Sequence, residues 1–99
     1  MNAGIISTGH DYPDGVLTNA DLEKLVETSD EWIQQRSGIV ERRWVEKGTS
    51  NSDLGYEAAV RAIKNAGLQN SDIDMILYAT ITPDHEFPGN ACFIQDRLG

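Results

Sequence analysis

Ninety-nine residues, 39% hydrophobic and 24% charged, make at most one ordinary globular domain or a part of a larger one, and exclude collagen-like, low-complexity and disordered chains. Sixteen acidic against eight basic side chains give a net charge of −8, which repels a nucleic-acid backbone and argues against nucleic-acid binding. The longest apolar run, Met75-Ile76-Leu77-Tyr78-Ala79, is far short of the roughly 20 residues that span a bilayer, so no membrane association is expected. No basic-then-apolar leader opens the chain, and the single cysteine, Cys92, has no partner for an internal disulfide. A reducing, cytoplasmic setting is the expectation.

In chain order, Ala3 to Ser7 predicts a short first strand, and Tyr12-Pro13-Asp14-Gly15 has the chemistry of a turn. Thr18-Asn19 before Ala20-Asp21-Leu22-Glu23-Lys24-Leu25-Val26 predicts a capped helix start. A second short helix follows over 28–38, capped by Ser29 or Asp30 and ended by Gly38. Ile39 to Val45 predicts an exposed or edge strand. The longest helix opens at Thr49-Ser50-Asn51-Ser52-Asp53 and runs to about Ala66. Leu54, Ala58, Ala62 and Ala66 form a stripe of small side chains at helical period, suited to close packing on a sheet, and Gly67 ends the helix. Met75 to Thr80 predicts a strand buried on both faces, hence a parallel sheet; Asn90 to Leu98 predicts a last helix. The alternation implies an α/β fold. Two convincing strands are too few to close a core, so the fold is expected to be incomplete on its own.

Charge is unevenly placed. Seven acids and one base lie between Asp11 and Glu31, whereas Arg36, Arg42, Arg43 and Lys47 face only Glu41 and Glu46 over the next stretch. That pattern fits either a solvated face with ordinary ion pairs or a local site for a phosphate-bearing ligand. Trp32 and Arg36, four apart on the second helix, share a face. Their spacing alone suits a buried tryptophan beneath a snorkelling arginine. His10 and His85 lie in loops without ligand spacing, and no metal site is expected.

Thr18-Asn19-Ala20-Asp21-Leu22-Glu23-Lys24, Thr28-Ser29-Asp30-Glu31-Trp32-Ile33 and Arg36-Ser37-Gly38-Ile39-Val40-Glu41-Arg42-Arg43 together resemble β-ketoacyl-acyl carrier protein synthase III. Gly55-Tyr56-Glu57-Ala58-Ala59 and the stretch from Phe87-Pro88 to Gln95 are similar to the same family, so the resemblance runs from Gly4 to Gly99. It implies an N-terminal part of the first half of a thiolase-like (αβαβα) fold, in an enzyme that works as a homodimer or assembles with a second chain carrying the rest. The implied reaction is a decarboxylating condensation of an acyl-CoA, commonly acetyl-CoA, with malonyl-acyl carrier protein. Coenzyme A enters as part of the substrate, and no separate cofactor is implied.

The resemblance also assigns roles. Trp32 would stack on the adenine of coenzyme A, Arg36 would meet its phosphate and ribose, and Thr28 would lie near the adenine. Phe87 would reach the acyl pocket of the dimer partner and limit chain length, although Pro83-Asp84 and Glu86 depart from the commonest pattern nearby. The catalytic Cys-His-Asn set falls beyond these residues, so no catalytic residue is expected here and the isolated chain is expected to be inactive. Cys92 matches a non-catalytic helix and would pack as a small buried hydrophobe. Two other readings remain: a priming ketosynthase of polyketide or quinolone synthesis, and a non-catalytic acidic interaction module.

Overall fold

The computed structural model describes residues 1–99 and divides them into two compact units. The first runs from Tyr12 to Lys47, and the second joins Met1–Asp11 to Gly48–Gly99.

The first unit contains β1 (Val16–Thr18), α1 (Asn19–Glu23), α2 (Asp30–Ser37) and β2 (Glu41–Arg43). Thr18 ends the strand and caps the helix. Its hydroxyl accepts the Asp21 N–H, while the Asp21 carboxylate accepts from the Thr18 backbone N–H at 3.1 Å. Ser29 caps α2 by accepting the Trp32 N–H at 3.2 Å, with Asp30 and Glu31 placed where the helix dipole favours acids. Gly38, at φ 71°, ends the helix in the left-handed region that a side chain would penalise. β1 and β2 pair antiparallel, Leu17 opposite Arg42, and the expected edge strand contracts to three residues.

The second unit is built on α3 (Asn51–Ala66) and α4 (Asn90–Leu98), with one 3-10 turn at Asn70–Asp72 between them. Ser50 and Asp53 form a capping box at the start of α3, and Gly67 closes its end at φ 70°. The alanine stripe has a local cause. A Cβ on Gly9 would collide with the carbonyl oxygen of Ala58 and the amide nitrogen of Ala62, so this part of the N-terminal segment lies directly on the helix backbone. Ser7 donates to the Ala62 carbonyl at 2.7 Å, Asn65 donates to the Thr8 carbonyl at 3.0 Å, and Arg61 pairs with Asp11 at 2.8 Å.

Two expectations fail. Ala3–Ser7 and Met75–Thr80 belong to no sheet; β1 and β2 form the one sheet present. Nor is the second segment buried: Met75 is 75% exposed and Leu77 89%, with Ile5 at 88% in the first. A buried parallel strand needs hydrogen-bonding neighbours on both edges and cover on both faces, and nothing in these 99 residues supplies them. Ile94 is the one large apolar side chain buried below a tenth. No helix is long and apolar enough to cross a membrane.

With so little apolar burial to offset chain entropy, the isolated polypeptide should unfold gradually on heating. Circular dichroism and calorimetry check this; a sharp transition above about 45 °C would contradict it.

Candidate functional site

The first unit presents Trp32 and Arg36 on successive turns of α2. The Arg36 guanidinium lies 5.7 Å from the centroid of the Trp32 ring, within the range of a cation–π contact. The indole is 56% exposed and α2 buries no residue, so Trp32 is not the sealed core residue that its spacing with Arg36 alone would allow. Thr28, half-buried just before the helix, joins Glu27, Ser29 and Trp32 in lining an open depression of about 360 Å³. An exposed indole, a cation near its ring and a hydroxyl close by suit a flat heteroaromatic ring joined to an anionic group.

What aims α2 is a residue that periodicity and charge do not single out. Asn19 is 2% exposed, and each end of its amide is engaged. Nδ2 donates to Asp30 Oδ1 at 2.7 Å and to the Ile39 carbonyl at 2.8 Å, while Oδ1 accepts from Arg42 Nη2 at 2.7 Å. The same residue's backbone N–H donates to the Val40 carbonyl at 3.2 Å. One side chain thus ties the start of α1 to the first residue of α2, to the chain leaving α2, and to β2. In sequence Asn19 reads as part of a cap; the cap is Thr18, and the asparagine is freed for this work.

The Asn19 amide, then that of Gln34, holds the Asp30 carboxyl below the ordinary carboxylate range. A depressed carboxyl adds stability that is fully present above its unfolded value, about 3.9, and is lost as pH falls through the lower folded value.

The basic stretch does not form one phosphate site. Arg42 is spent on Asn19 and on the Leu17 carbonyl at 3.2 Å. Arg43 donates to the Pro13 carbonyl at 3.3 Å and lies 4.6 Å from the Tyr12 ring centroid. Of the three arginines, Arg36 is the one whose guanidinium donates no hydrogen bond to the protein.

In the second unit Phe87 is 90% exposed, in the loop leading to α4. Cys92 is exposed on α4, not buried as expected, because the hollow it lines with Ile73, Met75 and Ile76 is open. His85 packs its ring 5.6 Å from that of Phe93. No group of three or more His, Cys, Asp or Glu side chains is arranged to hold a metal ion.

No family model matches the chain. It is 54% identical, over all 99 of its residues, to β-ketoacyl-[acyl-carrier-protein] synthase III of Geobacillus kaustophilus, and covers 32% of that protein. Among solved structures, 98% of the chain superposes on 31% of 3-oxoacyl-[acyl-carrier-protein] synthase III from Aquifex aeolicus, with a TM-score of 0.89 and 45% identity. The priming β-ketosynthase of the R1128 polyketide pathway is matched over 96% of the chain and 28% of its own length, at 27% identity and a TM-score of 0.88. The fold is therefore part of a thiolase-like architecture, and the chain spans about a third of the length of its curated relatives.

Replacing Asn19 by Ala in a complete synthase carrying these residues should cost roughly 2–4 kcal/mol of stability, because it removes the three hydrogen bonds of an almost wholly buried amide. Urea unfolding measures that cost. Carboxyl-carbon NMR should show Asp30 titrating nearer its ordinary value in the variant; an unmoved Asp30 would contradict the role given to Asn19.

Proposed function

Over its whole length the chain is a homologue of part of β-ketoacyl-[acyl-carrier-protein] synthase III, and on that premise we propose that it is the portion of such an enzyme that receives coenzyme A. The complete enzyme takes an acyl-CoA, commonly acetyl-CoA, and passes the acyl group to a cysteine thiolate with release of coenzyme A. Malonyl-acyl carrier protein then loses carbon dioxide. The resulting enolate attacks the acyl-enzyme carbonyl, and the thiolate leaves. The Cys-His-Asn set for these steps lies outside these residues, so the isolated 99-residue chain is inactive.

Trp32 stacks on the adenine, Arg36 neutralises phosphate charge beside it, and Thr28 borders the ring. Phe87 enters the acyl pocket of the partner subunit in a homodimer, and its bulk favours a short primer. The setting is cytoplasmic, and coenzyme A arrives as substrate with no resident cofactor required. The observation that carries this reading is the exposed indole with its guanidinium at 5.7 Å above a depression bordered by Thr28. A priming ketosynthase of polyketide synthesis is the second reading, favoured by the TM-score of 0.88 to the R1128 enzyme. The same nucleotide contacts serve both; the acyl-CoA accepted separates them.

In the complete synthase, Trp32→Ala and Arg36→Ala should each weaken coenzyme A binding about tenfold or more, while Trp44→Ala should not. Isothermal titration reads the constants, and unaltered affinity in Trp32→Ala removes the adenine assignment.

A further inference from the structure

The loop carrying Phe87 is closed at its base by side chains that no role above employs. Asp84 and Asn90 stand three residues to either side of Phe87. The Asp84 backbone N–H donates to Asn90 Oδ1 at 3.0 Å, drawing the two flanks together. Each flank is then fastened to the first turn of α3. Asp84 Oδ1 accepts the Ser52 N–H at 3.1 Å, and Asn90 Nδ2 donates to Asn51 Oδ1 at 3.1 Å. The Tyr78 hydroxyl donates to the same Asn51 side-chain oxygen and to the Asn51 carbonyl, the latter at 3.0 Å.

Burial shows where the rigidity lies. Asn90 is 3% exposed and Ser52 6%, whereas Phe87 at the tip is 90% exposed. Gly55 is part of the device: a Cβ there would stand 2.5 Å from the Tyr78 ring, so glycine makes the room that lets the phenol reach Asn51. A satisfied buried polar network fixes one geometry more sharply than apolar packing, because any displacement leaves a polar group unpaired. The side of the loop is held as well, by the His85 ring against Phe93.

We propose that Asn51, Asp84 and Asn90 are positioning residues for acyl-chain selectivity, holding the Phe87 loop so that its ring stands at a fixed height in the pocket it enters. The proposal rests on the reading of Phe87 given above. Loosening the base lets the ring withdraw, which admits longer acyl chains and leaves the condensation chemistry to groups elsewhere.

The test uses the complete homodimeric synthase and the ratio of kcat/KM for hexanoyl-CoA to that for acetyl-CoA. Phe87→Ala and Asn90→Ala should both raise the ratio, by about fivefold or more, chiefly through a lower KM for hexanoyl-CoA. Asp84→Ala should act in the same direction, and Asp84→Asn, which keeps an oxygen to accept the Ser52 N–H, should restore most of the original ratio. Should Asn90→Ala fail to fold, Tyr78→Phe removes a single hydroxyl and should still raise the ratio about twofold, with the melting temperature held within a few degrees. If Phe87→Ala raises the ratio while folded network variants leave it unchanged, the positioning role is overturned. If Phe87→Ala itself leaves the ratio unchanged, the fault lies in the pocket role of Phe87, and the proposal falls with it.

Discussion

A primary amide that is almost wholly buried must have both its ends satisfied, which leaves its neighbours few arrangements to choose from. At Asn19 those neighbours are the N-terminal residue of α2, the carbonyl of Ile39 after α2, and a guanidinium from β2. The first unit has three-residue strands and no large apolar core, so this amide substitutes geometry for bulk. It sets the roll and tilt of α2, and through them the direction of Trp32 and Arg36. A displacement of α2 would carry Trp32 and Arg36 with it and break the bond from Asn19 to Asp30, so the aim of the pair depends on that support.

The second unit uses the same kind of support at another place. Asn51 and Asn90, both amides near helix starts, tie the loop before α4 to the first turn of α3. Position in each unit is thus kept by short polar bridges between element ends, while the apolar side chains that would ordinarily form a core remain exposed at Ile5, Met75, Leu77 and Ile81. An apolar strand open to water is unfavourable by roughly 25 cal/mol for each Å² left uncovered. Cover from the rest of a thiolase-like fold is what such surfaces require. In this chain the loops and helix starts carry their own support, and the apolar segments around Ile5 and over residues 75–81 do not.

Helices were legible because their signals are local. Thr18, Ser29 and Ser50 are caps, Gly38 and Gly67 are stops, and each does its work within a single turn of chain. The strand at Glu41–Arg43 was legible as an edge from its charged middle. Met75 to Thr80 read as a buried strand because its composition answers to partners that are not among these residues; composition records the environment a segment is suited to, and the structure of the chain alone does not provide it. Trp32 and Arg36 could be placed on one face by spacing, but whether that face was open could not be read, since exposure depends on Asn19 and Asp30, eleven positions apart. The Asp84–Asn90 clasp was invisible for the same reason: its bonds run to Asn51 and Ser52, more than thirty residues away. The clustered arginines misled in the opposite sense, since two of them serve backbone carbonyls and a buried amide, which charge counting cannot distinguish from ligand binding.

The central claim is that the indole on α2 meets a nucleotide whose chemistry is done by atoms elsewhere in the enzyme. The most direct measurement follows the indole N–H resonances of Trp32 and Trp44 in the ¹⁵N-labelled complete synthase as coenzyme A is added. Trp44, 61% exposed in the same unit, serves as the internal control. The account predicts a saturable shift of the Trp32 resonance with Trp44 unmoved. A stationary Trp32 resonance at saturating coenzyme A, or a shift confined to Trp44, would contradict it.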